Sequence, residues 1–161
     1  MNQRIAELKR VADKVERLVN SSVDRWRDLP DRVLTFRPSE AAWSIKEIIG
    51  HLIDSASNNH QRFVRLQLAD MLTFPDYQHD NDEWVRIQGC QERPWDELLG
   101  LWRHFNDHLS HIIRFVDQSC LTHAWMVDME TRVTLFELMA DYLQHLEVHL
   151  DQIAENIDTS T

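Results

Sequence analysis

Thr134-Leu-Phe-Glu-Leu-Met-Ala-Asp-Tyr-Leu-Gln-His145-Leu-Glu-Val-His149-Leu-Asp-Gln-Ile-Ala-Glu-Asn156 reads as one amphipathic helix. Leu135, Met139, Leu143, Leu146, Leu150 and Ile153 recur at helical spacing, and no Gly or Pro interrupts them. Thr134 and Glu137 stand three residues apart at its start, the pattern of a capping box in which each satisfies the other's free backbone donor. Side chains at i and i+4 lie one turn apart on the same face. His145 and His149 can therefore bind one metal ion together.

Working upstream, Trp43-Ser-Ile-Lys-Glu-Ile-Ile-Gly-His51-Leu-Ile-Asp54 supplies a second capping box, Ser44 with Glu47, and a third histidine. Its apolar residues Ile45, Ile48, Ile49, Leu52, Phe63 and Leu66 predict a helix from Ser44 to about Asp70. Two more helices complete the set. One runs from about Asn2 to Arg27 on Ile5, Leu8, Val11, Val15, Leu18 and Val19. The other has Pro94 at its first helical position and continues through Leu98, Leu101, Trp102, Phe105, Leu109, Ile112 and Val116. The chain is thus predicted to be all-α, a four-helix bundle in one domain over residues 1–161. The connections are long, roughly 16, 23 and 15 residues against the usual 2 to 8 or so between bundle helices. Thr73 to Trp84, with a turn at Pro75-Asp76, is expected to cap one bundle end, and Trp125 to Val133 to form a small hairpin.

Nine histidines in 161 residues should give about half an i,i+4 pair by chance, so one such pair is weak evidence. His104 and His108 form a rival, with His111 beyond. At about 100° per residue, His149 and His145 lie about 65° and 105° from the centre of their apolar stripe, whereas His104 and His111 lie about 140° from theirs. The fourth-helix pair flanks the core. His51, Ser55, Asn58 and Arg62 form a polar stripe beside the apolar one, and Asn59 falls within the apolar stripe itself. An inward-facing polar stripe implies a wet cavity or a ligand; the alternative is that these side chains edge the helix into solvent. Asp54 and Glu47 are possible acceptors for His51, although Glu47 already has the capping role.

Axial height links the three histidines. His51 lies seven residues after the start of its helix and His149 seven before the end of its own, each roughly 10 Å from a helix end. If these helices are antiparallel the two histidines stand at the same height, with His145 about 6 Å further along. If they are parallel, the match fails by roughly 10 Å. A crossover in the connection between the second and third helices makes them antiparallel.

The formal net charge is −10, from 17 basic and 27 acidic residues. Nucleic-acid binding rests on basic patches that neutralise phosphates, and none is present, so neither nucleic acid nor an anionic membrane is an expected partner. No apolar run is long enough to span a bilayer. Cys90 and Cys120 belong to no CxxC pair and are expected as free thiols in the cytoplasm. HExxH is absent, since Glu147 stands two residues after His145.

Trp43 to Ser55, then Asn59 and Arg62-Phe63, the loop from Pro75-Asp-Tyr77 to Trp84, and the pair His145 and His149 together resemble the DinB-like superfamily of metal-binding four-helix bundles. They are most similar to its YfiT-like branch of metal-dependent hydrolases and bacillithiol S-transferases. The resemblance spans nearly the whole chain. It implies an up-down-down-up bundle with a long crossover between helices 2 and 3, the topology the matched heights require. It also implies that His51, His145 and His149 bind a divalent ion, Zn or Ni, and that the chain is a homodimer.

The expected function is that of a metal-dependent enzyme, a low-molecular-weight thiol S-transferase or a hydrolase acting on a small-molecule substrate. No side chain is assigned as the nucleophile; a metal-bound thiol or water takes that role. Ser55, Asn58, Asn59 and Arg62 would form the substrate pocket, with Arg62 able to hold a carboxylate in a fork. The alternatives are a non-catalytic metal-binding protein, such as a stress-linked sensor or scaffold, and a helical interaction module whose histidines are incidental.

Overall fold

The computed structural model describes residues 3–73, 80–127 and 130–160. Six helices and three short strands follow in the order α1 (Gln3–Trp26), α2 (Asp31–Leu34), α3 (Ile45–Arg65), β1 (Met71–Leu72), α4 (Asn81–Gln88), α5 (Trp95–Arg114), β2 (Ala124–Met126), β3 (Arg132–Thr134) and α6 (Leu135–Thr159). The four long helices, α1, α3, α5 and α6, bury their apolar stripes against one another. Leu8, Ile45, Ile48, Ile49, Phe63, Leu98, Trp102, Leu109, Ile113, Leu135 and Met139 are fully enclosed at the centre. Trp26 and Trp102 stack there with ring centroids 5.9 Å apart.

Side-chain pairs fix the direction of each helix. Trp95 donates its indole N–H to the Trp26 carbonyl at 2.9 Å and Arg114 reaches back to Asp13 and Glu16, so α5 runs antiparallel to α1. Gln67, just past the end of α3, accepts from the Asp117 backbone N–H, just past the end of α5. Gly50, near the start of α3, meets Cys90, just ahead of α5. Those two helices are therefore parallel. Asn156, late in α6, donates to the Trp43 carbonyl ahead of α3 at 2.9 Å, so α3 and α6 are antiparallel. Arg4 over the Phe136 ring and Lys14 paired with Glu147 make α1 and α6 parallel. The bundle is up-down-down-up, as expected, with the long connection from α3 to α5 carrying the crossover.

Both predicted capping boxes are present: Ser44 with Glu47 opens α3, and Thr134 with Glu137 opens α6. Two boundaries differ from expectation. Pro94 is not inside α5 but caps it, because its ψ of 133° is extended rather than helical. The second helix stops at Arg65 rather than near Asp70. There the His123 ring donates to the Leu66 carbonyl at 2.6 Å, and the chain straightens to lay β1 parallel to β2. The hairpin expected between Trp125 and Val133 is β2 paired antiparallel with β3, with those two residues as cross-strand partners. The expected turn at Pro75-Asp76 lies outside the described residues, but the same segment ends in a helix that was not expected. Asp80 caps α4 by accepting from the N–H groups of Asp82 and Glu83. Gly89, at a left-handed φ of 59°, terminates it. Among the described residues no helix is long and apolar enough to cross a membrane.

Candidate metal centre

The antiparallel packing of α3 on α6 brings His51, His145 and His149 together. Each offers a ring nitrogen, and the three lie within 4.8 Å of one another. The Nε2 atoms of His51 and His145 are 3.2 Å apart. Bonds of about 2.0–2.1 Å from Zn²⁺ to imidazole, at a tetrahedral angle, set ligand nitrogens about 3.3 Å apart. The donor set therefore fits a divalent ion of that class, with at least one position left over.

The far sides of two rings are held. On His149, Nδ1 donates to Gln152 Oε1 at 2.9 Å, one turn along α6. On His145, Nδ1 faces Ser55 Oγ at 3.4 Å. The Gln152 oxygen can only accept, so that contact sets the tautomer that leaves His149 Nε2 open towards the cluster, the usual way a protein orients a ligating histidine. Trp43 forms a roof: its ring centroid lies 4.9 Å from that of His51 and 6.4 Å from that of His149. Its indole N–H is tied to Asp82 on α4 at 2.8 Å, so the crossover helix helps to hold the roof in place. Burial, and next to it the neighbouring His149, push the His145 imidazole down from 6.5 to about 4. It is neutral at pH 7, the protonation state a metal ligand requires.

A cavity of about 290 Å³ opens from the cluster along α3 and α6. Ser55, Asn58, Asn59 and Arg62 all stand on its wall, together with His51 and His145. Arg62 lies with its guanidinium carbon 4.2 Å over the Trp125 ring, which fixes a long side chain by cation–π contact. Asn59, placed by its periodicity in the apolar stripe, turns its amide back to the Ser55 carbonyl at 2.9 Å. Of the two acids considered as acceptors for His51, Asp54 lines the cavity and accepts from Gln88 at 2.6 Å. Glu47 is committed elsewhere, to Arg37 and to the Ser44 backbone N–H. His104, His108 and His111 are exposed on α5 and take no part in the cluster. A larger groove of about 450 Å³ between α1 and α6 runs past Leu18, Trp26, Leu150 and Ile157, and no histidine lines it.

Residues 4–153 match the family model of the DinB superfamily. The chain belongs to the DinB superfamily. In structure this DinB chain is similar to YfiT from Bacillus subtilis, described as a probable metal-dependent hydrolase with an unusual four-helix bundle topology. The TM-score is 0.78 at 17% identity, over 97% of this chain and 87% of that one, a likeness that shows the fold. No curated protein matches the sequence.

Several features of the DinB site escaped sequence reasoning. Gln152 could have been found, since it stands at i+3 from His149 and that spacing permits contact. The Trp43 roof could not, because it depends on where the loop ahead of α3 meets the end of α6. Asn81 and Asp141 also reach the cavity. Asp141 was legible as the residue one turn before His145; Asn81 sits on the unforeseen α4. Tyr142 adds a wall, with its hydroxyl directed away to the buried Asn106 at 2.7 Å.

Proposed function

We propose that this protein is a divalent-metal-dependent enzyme that activates a low-molecular-weight thiol or water against a small-molecule electrophile. The observation that carries this reading is the meeting of three ring nitrogens at one end of a cavity along which polar residues stand, with His51 and His145 belonging to both. A bound divalent ion would supply Lewis acidity, lowering the pKa of a thiol or water towards neutrality. His51, His145 and His149 would hold it. Ser55 and Gln152 keep two of those rings turned inwards, and Trp43 keeps bulk water off one side of the cluster. Arg62, braced on Trp125, would receive a carboxylate at the far end of the cavity, and Asn58 and Asn59 would orient the polar body of the substrate between them. Zn²⁺ or Ni²⁺ as the ion, a homodimer and a cytoplasmic location belong to the same proposal. Family resemblance supports these, and for location so do two cysteines that are both free thiols.

The test is metal analysis of untagged protein, followed by a metal-dependent assay of thiol conjugation to an electrophile and of ester hydrolysis. His145→Ala is expected to abolish both high-affinity metal binding and turnover, while His104→Ala leaves both intact. Binding without turnover on either assay would turn the reading to a metal sensor. Stability indifferent to Zn²⁺, Ni²⁺ and chelators would remove the metal centre altogether.

A further inference from the structure

His60 and His108 form a second imidazole pair, on the other side of α3 from the cluster. At about 100° per residue, the nine positions between His51 and His60 amount to about 180° around the helix, so His60 faces α5 rather than α6. The Nε2 atoms of His60 and His108 face each other at 3.3 Å, with ring centroids 5.2 Å apart. That separation is long for a good N–H hydrogen bond, which runs about 2.7–3.2 Å. It is close to the roughly 3.3 Å that two imidazoles take on one tetrahedral ion. Phe105 packs edge-on against His60 at 6.0 Å and backs the ring from α5.

We propose that His60 and His108 form a second divalent-metal site that bridges α3 and α5. Its protein ligands are two imidazoles; among the described residues only the first cluster gathers three histidine, cysteine or carboxylate donors around one point. The remaining positions face solvent, because His108 is exposed. A donor set of imidazole alone selects Cu²⁺, Ni²⁺ or Zn²⁺ over Mg²⁺ or Ca²⁺, and Cu²⁺ binds most tightly of the three. With fewer ligands than the first site, this one is filled second. An ion here would add a coordinate link between two parallel helices that pack on each other and are connected in sequence by the long crossover.

The site stands independently of the first, and one set of titrations separates them. Untagged full-length protein is titrated with Cu²⁺ and with Zn²⁺ by calorimetry, and the Cu²⁺ form is examined by electron paramagnetic resonance. The expected result is two equivalents for the native chain and one for His145→Ala. His60→Ala and the exposed, fold-neutral His108→Gln should each keep only the tighter equivalent. His104→Ala should keep both. In His145→Ala the bound Cu²⁺ should show coupling to two imidazole nitrogens. Two equivalents retained in His108→Gln would overturn the site. Loss that follows His104 instead of His60 would place any second ion on α5 alone, and would equally overturn it. A chain in which His145→Ala removes nothing while His108→Gln removes one equivalent would defeat the first site and leave this one standing.

Discussion

His149 owes its orientation to one amide: Gln152 accepts from its Nδ1 at 2.9 Å from the next turn of the same helix. Groups that orient a ligating histidine are typically worth about 10–100-fold in metal affinity. Gln152→Ala is expected to weaken the first site by about that factor in a competition titration, without loss of helix content. Unchanged affinity would mean that packing under Trp43 alone aligns the ring. Gly50, beside His51, is constrained in another way. A Cβ there would lie 2.4 Å from Cys90 Sγ and 3.2 Å from its Cβ. Gly50→Ala should therefore cost about 1–3 kcal/mol in urea denaturation, the range for overpacking a closed core, and Cys90→Ala in the same chain should recover most of it. Burial also pushes the Cys90 thiol up from its ordinary value, which keeps it a packing group rather than a nucleophile. The Gln152 contact was open to reading from its spacing, but the Gly50 constraint was not, because Gly50 and Cys90 are neighbours only after the crossover has been laid down.

At the scale of elements, both helices that carry ligand histidines begin with a capping box, and both were readable from four-residue patterns. The α6 box has a consequence for acid stability. Hydrogen bonds from the Thr134 hydroxyl, and then from its backbone N–H, hold the Glu137 carboxyl below its usual 4.5. A carboxyl depressed in the folded state contributes stability that is complete above the unfolded pKa and is lost as pH falls through the folded one. The stability gap between the native chain and Glu137→Gln should be constant above pH 4.5 and close as pH falls below it. A gap that widened in acid would contradict the assignment. The missed element, α4, had its signals in place, with Asp80 at the cap and Gly89 at the stop. Its eight residues hold only Val85 in the core, too little to make an apolar period visible.

For the molecule as a whole, the topology was legible from the family resemblance, and the heights agreed with it: the three histidines can meet only if α3 and α6 run in opposite directions. Matching heights depend on helix ends placed to within about one turn, and neither the late start of α5 nor the early end of α3 falls at an end from which His51 or His149 is counted. The cavity was legible in part. Residues along α3 could be placed on one face by period alone, whereas the wall that α4 contributes through Asn81 depends on how the crossover packs. The contact between His51 and His145 spans 94 residues of chain, and closing so long a loop carries an entropic cost that the ion does not reduce before the helices have docked. Binding should then act after the folding transition state. Added Zn²⁺ or Ni²⁺ is expected to slow unfolding in stopped-flow measurements while leaving the refolding rate unchanged, as for any interaction absent from the transition state. Faster refolding with the ion present would show that α3 and α6 meet early. For an ion held between helices so far apart along the chain, the consequence would be kinetic: it would brake unfolding and would not seed folding.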